Sequence, residues 1–171
     1  MKKNVYDLKC KEIYNWLIHL HYIRGEYHLI DQLIDQVNFK SEYFLYLKGL
    51  IELRKSGDVK KTLSFFNQIK SFNNPTYIKA AVRCIMLLGN HNYVCDIIKE
   101  TGLRLAPNDW QLWNMLGNSY FHLGNINLAK DAYQHCIQTT NQIEPFLSLS
   151  KCHSIEGDNK LAIFVLKSAS E

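Results

Sequence analysis

From Tyr14 to Ala169 the chain alternates between stretches with apolar residues three and four positions apart and short polar breaks built on glycine. The breaks read YIRGEY at Gly25, RKSGDV at Gly57, LLGNHN at Gly89, HLGNIN at Gly124 and SIEGDN at Gly157, spaced 32, 32, 35 and 33 residues apart. A glycine that ends one helix-period stretch and opens another at this interval predicts a chain of helical hairpins. The hairpins are expected at about 8–37, 41–71, 75–105, 108–140 and 144–169, together one domain over 1–171. Pro75, Pro107 and Pro145 fall at or just before the first helices, where a missing N–H costs little. No turn signal of a β-hairpin interrupts the pattern, so the expected fold class is all-α.

The fourth hairpin carries the most explicit pattern. Trp113, Leu116, Gly117, Tyr120, Gly124, Ala129, Tyr133 and Cys136 match the W…LG..Y…A…Y signature of tetratricopeptide repeats. The chain therefore resembles that family, which implies a right-handed superhelical solenoid. Contact distance explains the pattern: Gly117 and Ala129 let two helices approach while Leu116, Tyr120 and Tyr133 fill the remaining space. The register transfers to Leu149, Ser150, His153, Ala162 and Leu166 around Gly157, and to Ala81, Val82, Ile85, Val94 and Ile98 around Gly89. Around Gly57 it gives Gly49, Leu50, Leu53, Thr62, Phe66 and Ile69. Around Gly25 it gives Leu17, Ile18, His21, Ile30, Ile34 and Val37. There the small residues are gone and only hydrophobicity persists, so looser packing is expected.

Composition narrows the function classes. The net charge of +4 lacks the dense Lys/Arg runs of a nucleic-acid binder, and no apolar stretch approaches a membrane span, so neither nucleic acid nor the bilayer interior is an expected partner. A polar N-terminus gives no signal-peptide core, pointing to a cytoplasmic address. Five cysteines without a C-x-x-C pair fit reduced thiols better than a disulfide framework or a zinc ribbon. His135-Cys136 and Cys152-His153 are adjacent pairs that diverge by about 100° on a helix and make no bidentate face. With no phosphate loop or nucleophile elbow, the expectation is no metal, no cofactor and no catalysis.

The segment YNWLIHLHYIRGEYHLIDQLIDQV, Tyr14 to Val37, is not dictated by the repeat consensus. It resembles the start of the tetratricopeptide-repeat subunit of the BBSome, and the likeness continues through SEYFLYLKGLIELRKSGDVKKTLSFF, AAVRCIMLLGNHNYV and NDWQLWNMLGNSYFHLGNINLAKDAYQHCI. The resemblance implies a scaffold in a coat-like adaptor that moves ciliary membrane proteins. It further implies BBSome subunits, cargo or transport adaptors as partners, and the cilium, basal body or centriolar satellites as location. Members of that family continue through more repeats, whereas this sequence stops at Glu171.

First helices line the inner face of such a solenoid. There Lys79, Arg83, Asn114, Asn118 and Lys151 are expected to form a polar, positive groove for an acidic peptide or a chain terminus. Asn15, His19 and Tyr22 occupy the same face of the first hairpin. The alternative function is a peptide receptor of the co-chaperone type. Its clamp needs donors where this chain has Met115, Glu144 and Ser148. The last helix, LAIFVLKSAS, carries Ile163, Phe164, Val165 and Leu166 with no polar cap after it, so weak homodimerisation through that end is expected.

Overall fold

A computed structural model describes residues 3–37, 42–69 and 74–169, with side chains of the first segment described from 13 to 33. Among these residues all regular structure is helical. The chain divides into two compact units, Met1–Ser71 and Phe72–Glu171.

The first unit holds α1 (Lys3–Arg24), α2 (Tyr27–Val37), α3 (Glu42–Ser56) and α4 (Val59–Phe66). Ile18, Ile30, Leu47 and Ile51 form its core, flanked by Tyr22, Tyr27, Tyr43, Tyr46 and Leu50. Asp58 starts α4 by accepting the Lys61 N–H at 3.0 Å, which satisfies a donor that the helix end leaves orphaned. Gly49 is buried, and a Cβ there would stand 2.6 Å from the Phe66 ring. The spacing from turn glycine Gly57 puts Leu50 at the position equivalent to Gly117, but Gly49 occupies it. One additional residue between close contact and turn shifts α3 by a place, which the regular glycine spacing conceals. Ile34 and Val37, which the repeat register includes, have side chains outside the described residues.

The second unit begins with α5 (Pro75–Leu87), started by the Asn74 side chain and by Pro75 at the first helical position. Then come α6 (His91–Ile97), a π-helical turn (Ile98–Gly102) and α7 (Leu103–Leu105), which follow one another as a single rod. Next are α8 (Trp110–His122), α9 (Ile126–Thr139), α10 (Ile143–Ile155) and α11 (Asn159–Ser168). Counting that rod once, the described residues form ten helical rods, as the repeat reading requires.

Packing in the second unit follows the repeat signature. Val82, Val94, Ile98, Leu112, Ala129 and Cys136 have no exposed surface, and Tyr133 and Leu116 are 2% and 3% exposed. Burying each large apolar side chain contributes roughly 1.5–3 kcal/mol. A Cβ on Gly117 would stand 2.6 Å from Tyr133 Cε1, so the glycine admits an aromatic ring between α8 and α9. The close partner of Gly117 is therefore the Tyr133 ring. Gly124 turns the chain at φ +79, and a Cβ there would meet no atom within 4 Å, so backbone conformation alone selects glycine. Polar ties add to this packing: within the α8–α9 hairpin the Cys136 thiol donates to the Trp110 carbonyl, and Lys130 reaches Glu156 of the next hairpin at 2.8 Å.

Candidate protein-binding face

In the second unit α8 lies between α5 and α10 and packs against both. The five candidate residues of this face have unequal surroundings. The Lys79 ammonium on α5 is 2.8 Å from Asp109 Oδ2 and 2.9 Å from Gln111 Oε1. Asp109 is also the N-cap of α8, its Oδ1 accepting the Gln111 and Leu112 N–H groups. Lys79 thus fastens one hairpin to the start of the next, with two of its three donors spent inside the fold. Nothing in the local sequence signals this, because the partners lie 30 and 32 residues apart.

Asn118 is half-committed: its Oδ1 accepts the Tyr133 hydroxyl at 2.7 Å. Burial raises the Tyr133 hydroxyl far above its usual titration range, so it remains a donor. Asn114 is 7% exposed, and its Oδ1 has no hydrogen-bond partner among the described residues. A buried carbonyl oxygen without a donor costs about 1–3 kcal/mol. Arg83 is exposed on α5. Lys151 on α10 is exposed, with Nζ 4.9 Å from the centre of the Phe121 ring. The ring steadies the ammonium while leaving its hydrogen-bonding protons to solvent.

The resulting face carries exposed cations toward both edges, Arg83 on one side and Lys151 on the other, with the buried Asn114 beneath its centre. Such an arrangement suits an extended segment whose carboxylates meet the two cations. Without Lys79 the donor set of a co-chaperone clamp is further depleted.

The repeat-signature residues lie in the packed interior or at its margin. Leu116, Tyr120, Ala129 and Ala162 are buried, and Tyr120 lies beneath the Lys99 ammonium at 5.0 Å. Trp113 is half-buried; its indole N–H donates to the Pro107 carbonyl at 2.7 Å and its ring stacks on His135 at 4.3 Å. His21, placed in the core by the register, is half-buried and 2.7 Å from Glu26, while His153 is half-buried. An imidazole pair, His91 stacked on His122 at 4.6 Å, joins α6 to α8. Burial, then the neighbouring imidazole, lowers the His91 pKa. In the first unit, Arg54 lies 5.0 Å over the Tyr22 ring, and His19 is hydrogen-bonded to Tyr43. Among the described residues no group of three or more metal-binding side chains occurs, and no helix is long and apolar enough to cross a membrane.

The tetratricopeptide repeat family profile matches residues 111–142, the hairpin of α8 and α9. The BBSome complex member BBS4 of Mus musculus is 30% identical over 99% of this chain and 33% of its own length. That of Xenopus tropicalis is 31% identical over 91% of this chain and 31% of its own. The Drosophila melanogaster homolog is 19% identical over 90% and 35%. The chain spans about a third of the length of the curated relatives it matches. Among solved structures, MamA from Desulfovibrio magneticus RS-1 superposes with TM-score 0.78 at 15% identity, covering 93% of this chain and 92% of that one. MamA AMB-1 gives 0.74 at 13% identity, with 92% and 96% covered. Helical hairpins, the repeat match and these likenesses converge: the chain is a tetratricopeptide-repeat solenoid whose sequence resembles the repeats of BBSome complex member BBS4.

Proposed function

We propose that this chain is a non-catalytic scaffold of the BBSome type, holding partner proteins during transport of ciliary membrane proteins. The observation that carries the reading is the 30% identity to a BBSome member across 99% of the chain. The α5, α8, α10 face supports it at the level of chemistry, because Arg83 and Lys151 offer exposed cations to the carboxylates of an acidic segment. A cytoplasmic location at the cilium, the basal body or centriolar satellites follows from the same reading. So do partners drawn from BBSome subunits, cargo or transport adaptors.

The test is affinity purification of the tagged protein, at its natural expression level, from the cells that make it. Other BBSome subunits should co-purify in near-equal amounts and remain together through gel filtration. A well-expressed, folded protein that elutes without any of them would remove the proposal.

A further inference from the structure

The rod that begins with α6, together with α8 and α9, lines a cleft of about 250 Å³. It shares no lining residue with the five candidates of the face discussed above. Leu103, Leu116 and Leu128 supply its apolar surface, Lys99 and Asp131 its charges, and the stacked pair Trp113 and His135 one rigid wall. Lys99 projects from the π-helical turn, a local widening that recurs at functional positions in other helices. The volume is below that of clefts that swallow a drug-sized ligand, and is suited to one large side chain.

Two features make the cleft ready for an occupant. The indole is fixed at both ends, by its bond to Pro107 and by the imidazole beneath it, so little side-chain freedom remains to be lost on binding. Leu128 at the edge is 47% exposed and would lose that contact with water once the cleft fills. Charge then selects the occupant. Lys99 comes from the α6 side and Asp131 from α9, so a carboxylate is favoured at one wall and an N–H donor at the other.

We propose that this cleft docks a partner-protein segment presenting a bulky apolar side chain beside a carboxylate, the side chain lying among Leu103, Leu116 and Leu128 and the carboxylate meeting Lys99. A backbone N–H or basic group of the same segment faces Asp131.

Acetylated phenylalanine, with its free carboxylate, and its uncharged amide serve as minimal probes for the whole isotope-labelled chain in nuclear magnetic resonance titrations. The acid should shift the Trp113 indole N–H and the His135 ring saturably, with a dissociation constant in the millimolar range expected of so small a ligand. It should bind several-fold more tightly than the amide. Lys99→Met should erase that preference, Lys99→Arg should keep it, and Leu128→Glu, at an exposed position, should weaken the acid without unfolding the chain. Absence of a saturable shift at Trp113 and His135, or equal affinity for acid and amide in the parent chain, would overturn the proposal. So would an acid preference that survives in a folded Lys99→Met protein.

Discussion

Replacing Gly117 by alanine isolates a tight helix contact in the second unit. The added Cβ would stand 2.6, 2.8 and 3.0 Å from three carbons of the Tyr133 ring, where carbon atoms prefer about 3.5–4.0 Å. Tyr133 has little room to withdraw, being 2% exposed and bonded through its hydroxyl to Asn118. Overpacking of this kind costs roughly 1–3 kcal/mol. Alanine in place of a helical glycine returns about 1 kcal/mol through propensity, so the expected net loss is about 1 kcal/mol. A double-mutant cycle with Tyr133→Leu separates the two contributions. With the ring gone, Gly117→Ala should stabilise by about 1 kcal/mol, giving a coupling of about 1–3 kcal/mol. Urea denaturation followed by far-ultraviolet circular dichroism measures all four corners. If Gly117→Ala stabilises equally with and without the ring, the contact is not what selects glycine.

Other expectations follow from the same geometry. Asp109→Ala removes the cap of α8 and leaves Lys79 without its carboxylate, so it should cost roughly 1–2 kcal/mol, more than Lys79→Met; equal losses in urea melts would contradict the capping role. Burial raises the Cys84 thiol to about 11 and the Cys136 thiol to about 12, so the unfolded chain loses these protons first as pH rises. Their stabilisation is complete below roughly pH 8.5 and falls as pH climbs toward those folded values, and melting temperature against pH should show a smaller alkaline loss in Cys136→Val. On α11, Ile163 and Phe164 are 55% and 68% exposed, so the chain should self-associate weakly as concentration rises. Light scattering should show this mass increase diminished in Phe164→Ser, and a strictly monomeric parent chain would count against it.

What could be read from the sequence was local or periodic. The five turn glycines all adopt positive φ, because a helix that ends and reverses in one or two residues demands that conformation wherever it occurs. Gly117 and Tyr133 were legible as signature positions of one hairpin, but the sequence set Gly117 with Ala129 as the close approach, and only the packed helices put the Tyr133 ring against the glycine. Lys79 was legible as a first-helix residue but not as an interior tie, since Asp109 reaches it only after the hairpins stack. The π-helical turn had no periodic signal, because a single widened turn alters backbone bonding without breaking the apolar pattern around Ile98 and Gly102. The displacement of Gly49 was hidden by a turn-to-turn spacing that stayed at 32 residues while α3 shifted by one. The orphaned Oδ1 of Asn114 likewise depends on neighbours that no short window contains.

The central claim, that the first-helix face holds a partner protein in a BBSome-type assembly, is tested most directly by site-specific photo-crosslinking in the native cell. A photoreactive residue placed at Arg83 or Lys151, both exposed, should capture a BBSome subunit, while one at exposed Asn92 serves as a control outside that face. Capture is expected from Arg83 and Lys151, weakened when the opposite position carries a charge-reversing glutamate. Capture of BBSome subunits from Asn92 alone, with none from Arg83 or Lys151, would contradict the claim.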